Sequence, residues 1–143
     1  MQPELRVRRA RRDDFERVQV LLGIEAPATR GARKRFRRLV STLREDCYLA
    51  ERDDGASLAG VAVIAYARGL GPATAIVRAL HGSSDAAALL LDCARRRALA
   101  RGCTRLELQL DRDATPAPAA LAETLERDGW TDGGRILQRA VSP

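Results

Sequence analysis

Histidine is nearly missing from this sequence: His81 stands alone among 143 residues. The three cysteines, Cys47, Cys93 and Cys103, form no CxxC pair. These shortages exclude a Cys/His zinc cluster of ordinary spacing, and no metal is expected. An odd number of thiols fits a reducing compartment, where the three are read as partly buried free thiols. Aromatic residues are just as scarce, being limited to Phe15, Phe36, Tyr48, Tyr66 and Trp130. None is interleaved with arginine as a base-stacking platform requires, so nucleic acid is disfavoured as a partner. The longest strongly apolar run, Leu58 to Ala67, falls far short of the roughly 20 residues a membrane-spanning helix needs. The opening Met1-Gln-Pro-Glu-Leu5 turns charged at once and shows no apolar segment before a cleavage site, so a cytoplasmic protein is expected.

What is present is a globular balance, 45% hydrophobic and 31% charged, in a chain sized for one domain over residues 1–143. The net charge is +6, yet Lys34 is the single lysine and the other 24 basic residues are arginine. In a chain also crowded with alanine, that skew reads first as a coding bias. The positive field still favours acidic partners and makes association sensitive to salt.

Leu5 to Ala10 alternates apolar and polar residues and predicts a half-buried strand. Asp13, followed three residues later by Glu16, resembles a capping box opening a helix over 14–22, stopped by Gly23. A second helix is predicted over 30–44, with Phe36, Leu39, Val40 and Leu43 forming one stripe. Its other face carries Arg30, Arg33, Lys34, Arg37, Arg38 and Arg44, either a solvated basic face or a wall that attracts an acidic substrate or cofactor phosphates. Cys47–Arg52 and Leu58–Arg68 read as strands joined by the Asp53-Asp54-Gly55 turn, the second lying mid-sheet. Ala73–Leu80 predicts another strand, and the loop His81-Gly82-Ser83-Ser84 leads into a helix beginning at Asp85 and ended by Gly102. Leu106–Leu110 alternates as a strand. Pro116 and Pro118 open a last helix running to Asp128, and Ile136–Val141 predicts a closing strand. The order β-α-α-β-β-β-α-β-α-β is that of a single α/β domain.

This order, with several local patterns, resembles the GCN5-related N-acetyltransferase (GNAT) family over nearly the whole chain. Val7 to Asp14 is similar to the family's opening strand and its turn into the first helix. Leu89-Leu90, Ala94, Ala98, Gly102 and Leu106-x-Leu108 resemble its cofactor helix running into strand five. Leu125-Glu-Arg-Asp-Gly-Trp130 resembles the Tyr-Glu-x-x-Gly-Phe ending of the fourth helix. The resemblance implies a mixed, mostly antiparallel central sheet flanked by about four helices. It also implies acetyl-CoA as co-substrate, and acetyl transfer to an amine of a small molecule or a protein.

The family's pyrophosphate loop, Gln/Arg-x-x-Gly-x-Gly/Ala, corresponds to His81-Gly82-Ser83-Ser84-Asp85-Ala86. His81 stands for the Gln/Arg, Ser84 for the first glycine and Ala86 for the last. Helix N-termini offer unpaired N–H donors and a positive dipole end to such a phosphate. Ser84 is alternatively the cap of an ordinary strand–turn–helix junction, and Asp85 puts a competing carboxylate in the first turn. His81 reads equally as a phosphate-side donor or as a surface loop residue. Ile76, Val77 and Arg78 are the strand-four positions whose backbone N–H would polarise the thioester carbonyl. The family's tyrosine acid is replaced by Leu125, which cannot donate a proton. Glu107, Gln109 and Asp111 share a polar face of strand five that is either solvated or catalytic, and Tyr66 is either a proton handler or a cleft wall. No base with an orienting partner is identified, so the catalytic residues stay unassigned. Two other readings stand beside the enzyme: a non-catalytic module acting by CoA or ligand sensing or by self-association as a homodimer, and an arginine-rich nucleic-acid partner using the 30–44 helix.

Overall fold

Strand order follows chain order. In the computed structural model, which describes residues 4–110, 118–133 and 139–140, β1 (Leu5–Arg9), β2 (Glu45–Arg52), β3 (Leu58–Ala67), β4 (Thr74–Gly82) and β5 (Arg105–Leu108) form one sheet in the order β1-β2-β3-β4-β5. The first three neighbouring pairs are antiparallel, and β4 with β5 is parallel. The expected mixed, mostly antiparallel sheet is therefore present, with β3 at its centre. Its near-continuous apolar sequence fits burial on both faces.

Alternation along the strands sorts the sheet into two cores. One face carries Ala50, Ala62, Ile64, Ala75 and Val77, covered by α3 (Ser84–Ala100) through Ala86, Leu90, Ala94 and Ala98. Small residues on the helix let its backbone approach the sheet closely. α4 (Pro118–Arg127) joins this cluster through Leu121, with Leu125 and Trp130 packed against it. The other face carries Cys47, Leu49 and Val61 beneath α1 (Phe15–Leu21) and α2 (Arg30–Ser41), where Phe15 and Phe36 meet at 5.4 Å between ring centroids. No helix among the described residues is long and apolar enough to cross a membrane.

Several boundaries differ from the sequence expectation. Asp13 does not cap the first helix: it is exposed within a 3-10 turn, Arg12–Asp14, and the N-cap position of α1 falls to Asp14, whose carboxylate closes the preceding turn by accepting the Arg11 N–H at 2.7 Å. Asp14 points inward because Arg8 grips it with two 2.8 Å bonds. α2 ends at Ser41, capped at its start by Thr29, so Leu43 leaves the apolar stripe and is 82% exposed. Arg44 lies beyond the helix as well. His81 and Gly82 belong to β4 rather than to a loop, and α3 begins at Ser84, one residue before Asp85. β5 stops at Leu108, before Gln109. Pro116 and most of the expected strand Ile136–Val141 lie outside the described residues.

Candidate functional site

The β4–α3 junction is tight because two glycines make it so. Gly82 has φ +132°, and a Cβ there would sit 2.1 Å from the Ala59 carbonyl oxygen. Gly60, across the sheet, would meet the Ala86 Cβ and the His81 carbonyl oxygen, each at 2.9 Å. Only hydrogen fits at either position. Ser83, not Ser84, is the N-cap: its hydroxyl accepts the Ala86 N–H at 3.2 Å, its carbonyl accepts Ala87 N–H at 2.9 Å, and its own N–H donates to Ala59 at 3.0 Å. Ser84 and Asp85 are exposed, and the orphan N–H groups of the first helical turn face forward from them. Ala86 is fully buried. His81 is half-buried on the strand, and Asp85 lies in the first turn as expected.

Further down β4, two irregularities fall at one place. The β3–β4 register shifts between the pairs Val63↔Ala79 and Ile64↔Val77, so Arg78 is the extra residue of a bulge. The pairing with β5 also ends there: Val77↔Leu108 is the last pair, and Gln109 N–H donates to the Val77 carbonyl at 3.0 Å. Ile76 and Val77 thus lie in the paired stretch. From Arg78 to Gly82, β4 has no β5 partner among the described residues.

Arg78 points away from the α3 face and donates to Glu45 Oε1 at 3.2 Å, across β3. Glu45 opens β2 and lines a cleft of about 460 Å³ at that end of the sheet. Arg35, Arg38 and Leu39 of α2 form one wall, Thr42 and Arg44 the corner, and Ala65 and Tyr66 of β3 the other wall.

Tyr66 belongs also to a buried cluster under the last turns of α3. Asp46, with no solvent exposure, accepts from Arg9 Nη2 at 2.6 Å and from the Tyr66 hydroxyl at 2.6 Å. Arg97 Nε lies 3.4 Å and Arg101 Nη2 3.6 Å from the same carboxylate. The Arg101 guanidinium stacks on the Tyr66 ring at 4.2 Å and donates to the Leu43 carbonyl at 2.8 Å. Burial and the neighbouring carboxylate push the Tyr66 phenol well above its ordinary range. Tyr66 is therefore a fixed cleft wall rather than a neutral-pH proton acceptor.

The other sequence candidates are dispersed. Glu107 pairs loosely with Arg105 at 3.8 Å, Gln109 lies just past β5, and Asp111 is outside the described residues. Leu125 packs on the α3-side core. All three cysteines are free and buried, and burial pushes the Cys47 thiol up to about 12. No group of His, Cys, Asp or Glu side chains able to hold a metal occurs among the described residues. Glu45 and Asp46 were not singled out in the sequence. No local pattern marks them, because the partners of Asp46 lie far away in sequence.

No protein-family model matches the chain, and no curated relative matches it in sequence. Solved structures do match its fold. A transcriptional regulator from Bacillus halodurans superposes with a TM-score of 0.80 at 18% identity, covering 96% of this chain and 100% of that one. A protein of Thermus thermophilus reaches 27% identity with a TM-score of 0.69, over 95% of this chain and 96% of its own. Glucosamine-6-phosphate N-acetyltransferase from Arabidopsis thaliana superposes with a TM-score of 0.78 at 11% identity, covering 97% and 99%. Other structural neighbours are acetyltransferases as well. The fold is the GNAT-like α/β fold.

Proposed function

We propose that this protein is a GNAT-type N-acetyltransferase that binds acetyl-CoA along β4 and transfers the acetyl group to an amine of a small molecule or protein. The observation that carries this reading is the coincidence at Val77 and Arg78 of a strand bulge with the end of the β4–β5 pairing. Beyond it, among the described residues, the β4 edge from Arg78 to Gly82 is unpaired and runs to the N-terminus of α3. Acetyl-CoA, when bound, supplies the activated acyl group. The chain's share is to hold the phosphates, align the carbonyl and receive the amine proton.

The residues fit the phosphate task in part. Gly82, Ser83 and Ser84 bring backbone close to the helix end, the small Ala86 packs tightly on Gly60 beneath it, and His81 borders it. Asp85 opposes an anion at the same place. Ile76, Val77 and Arg78 remain the strand-four stretch for the acyl end. Since the Val77 carbonyl already serves Gln109, the free edge begins at Arg78. Leu125 offers no proton, and Glu45, held by Arg78 beside the cleft, is the acidic group placed to receive an ammonium.

Calorimetric titration with acetyl-CoA, and with CoA alongside, tests the reading. Micromolar affinity, about −8 kcal/mol, is expected. It should disappear when Ser84 is replaced by tryptophan, and thiol release with amines should follow. Failure to bind millimolar acetyl-CoA would overturn the proposal. Asp85 and Leu125 favour the non-catalytic module as second reading, which predicts binding with no thiol release from any amine.

A further inference from the structure

We infer that the cleft between α2 and the β2–β3 end of the sheet is a small-anion subsite, selecting an acceptor that carries a carboxylate or phosphate group. Three guanidinium groups, Arg35, Arg38 and Arg44, line this one cleft. Among the described residues none of the three has a side-chain hydrogen bond or ion pair; Arg30, Lys34 and Arg37 of the same helix have none either, but they do not line the cleft. Arg33 on the same helix is paired with Glu16, Arg9 with Asp46, and Arg78 with Glu45. A coding bias toward arginine explains their number. It does not explain why three of them, two from α2 and one from the segment after it, line one concave place.

The geometry suits a small ligand. Arg35 and Arg38 are three residues apart on α2 and share a face, while Arg44 approaches from a different element, so a ligand between them is gripped from two sides. The facing wall is Tyr66, whose hydroxyl is committed to Asp46 and whose ring is held by Arg101, so the wall is rigid and its phenol adds no negative charge. Glu45, the cleft's acidic residue, is balanced by Arg78. The cleft is therefore net positive with apolar surface beneath it. Guanidinium pairs bind carboxylate and phosphate oxygens through charge-assisted bonds. An amine bound at Glu45 would place its anionic end among the three arginines, a selection that rests on the acetyl-transfer reading; the anion subsite itself does not.

The test is a titration of the isotope-labelled full chain with inorganic phosphate and with succinate, followed through backbone and arginine Nε–H signals. Saturable shifts confined to Arg35, Arg38, Arg44 and Tyr66 are expected. The double variant Arg38→Gln/Arg44→Gln, altered at two exposed positions, should weaken them at least about ten-fold. Shifts that only track ionic strength, as matched sodium chloride would produce, overturn the inference. So does a short DNA duplex that perturbs all of α2, including Arg30 and Lys34, while phosphate finds no defined site. A parallel assay compares thiol release from acetyl-CoA with O-phosphoethanolamine and with ethanolamine. Localised phosphate binding without release from either amine supports the subsite and counts against acetyl transfer. Equal turnover of both amines without localised shifts supports transfer and overturns the subsite.

Discussion

The Tyr66 hydroxyl donates to Oδ2 of Asp46 at 2.6 Å, so the cleft wall on β3 is anchored to a carboxylate with no solvent exposure on β2. Asp46 also holds Arg9 from β1 and lies within ion-pair distance of Arg97 and Arg101 from α3 and its C-terminal end. One buried anion thereby joins three strands and a helix. Replacing Asp46 by alanine leaves clustered guanidinium groups without their counter-charge and should cost about 3–5 kcal/mol of unfolding free energy. Tyr66→Phe removes one charge-assisted bond and should cost about 1–3 kcal/mol. Urea unfolding of both variants checks the ranking; a Tyr66→Phe loss as large as that of Asp46→Ala would contradict it.

Asp14 makes stability depend on acid. The bidentate Arg8 guanidinium, helped by the Arg11 N–H, holds its carboxyl below the ordinary value of 3.8 against the opposing effect of burial. A group with a depressed folded-state pKa contributes stability that is complete above its unfolded value and is lost as pH falls through the folded one. Asp14→Asn should therefore be less stable than the native chain at neutral pH, with the gap closing as pH falls below about 4. Urea midpoints across that range test it, and parallel curves for the two proteins would refute it.

Gly82→Ala forces a Cβ to within 2.1 Å of the Ala59 carbonyl oxygen at a φ of +132°. The strand end or the start of α3 must move. We expect a loss of more than about 2 kcal/mol in thermal or urea unfolding, together with loss of acetyl-CoA binding. Gly55, at φ +64° in the β2–β3 turn, has open space around its Cβ position and serves as the control: alanine there should leave cofactor binding unchanged.

Asp85→Asn acts in the opposite direction. The carboxylate sits in the first turn of α3, where it would repel the phosphate of the proposed acetyl-CoA site. Neutralising it should tighten acetyl-CoA binding several-fold, in line with the roughly 0.3–1 kcal/mol of a charge at a helix end. Calorimetry reads the change, and unaltered or weaker binding would place the phosphates elsewhere.

Cys47 is buried between the sheet and α1–α2, and burial raises its thiol to about 12. It should resist iodoacetamide at pH 8 in the native protein and react fully in urea. Mass spectrometry of labelled peptides decides this, and native-state labelling at Cys47 would show that the face opens.

Local signals carried most of the fold. Alternation marked β1, an unbroken apolar run marked β3, four-residue recurrence of Leu90, Ala94 and Ala98 marked α3, and Gly102, at φ +71°, marked its end. The errors came where neighbours compete for one role. Ser83 and Ser84 are equally good caps on paper; the choice falls to Ser83 because its N–H and hydroxyl both find partners once Gly82 has turned the chain. Asp14 displaces Asp13 because Arg8 of β1 grips the former with two 2.8 Å bonds while Asp13 is exposed. The Asp46 cluster was illegible for a different reason: its partners lie 37, 20 and 51 residues away, and no periodicity connects them.

The crowding around Gly82 also bears on the thermodynamics of whatever binds at the α3 N-terminus. Family-like phosphate loops built from several glycines have conformational freedom to surrender on binding. Here Gly82 is wedged against Ala59, Ser83 has its N–H, carbonyl and hydroxyl engaged, and Gly60 leaves Ala86 no slack. The notch is set before any ligand arrives. Association there should carry a small entropic penalty, and a ligand of the wrong outline should be refused rather than accommodated.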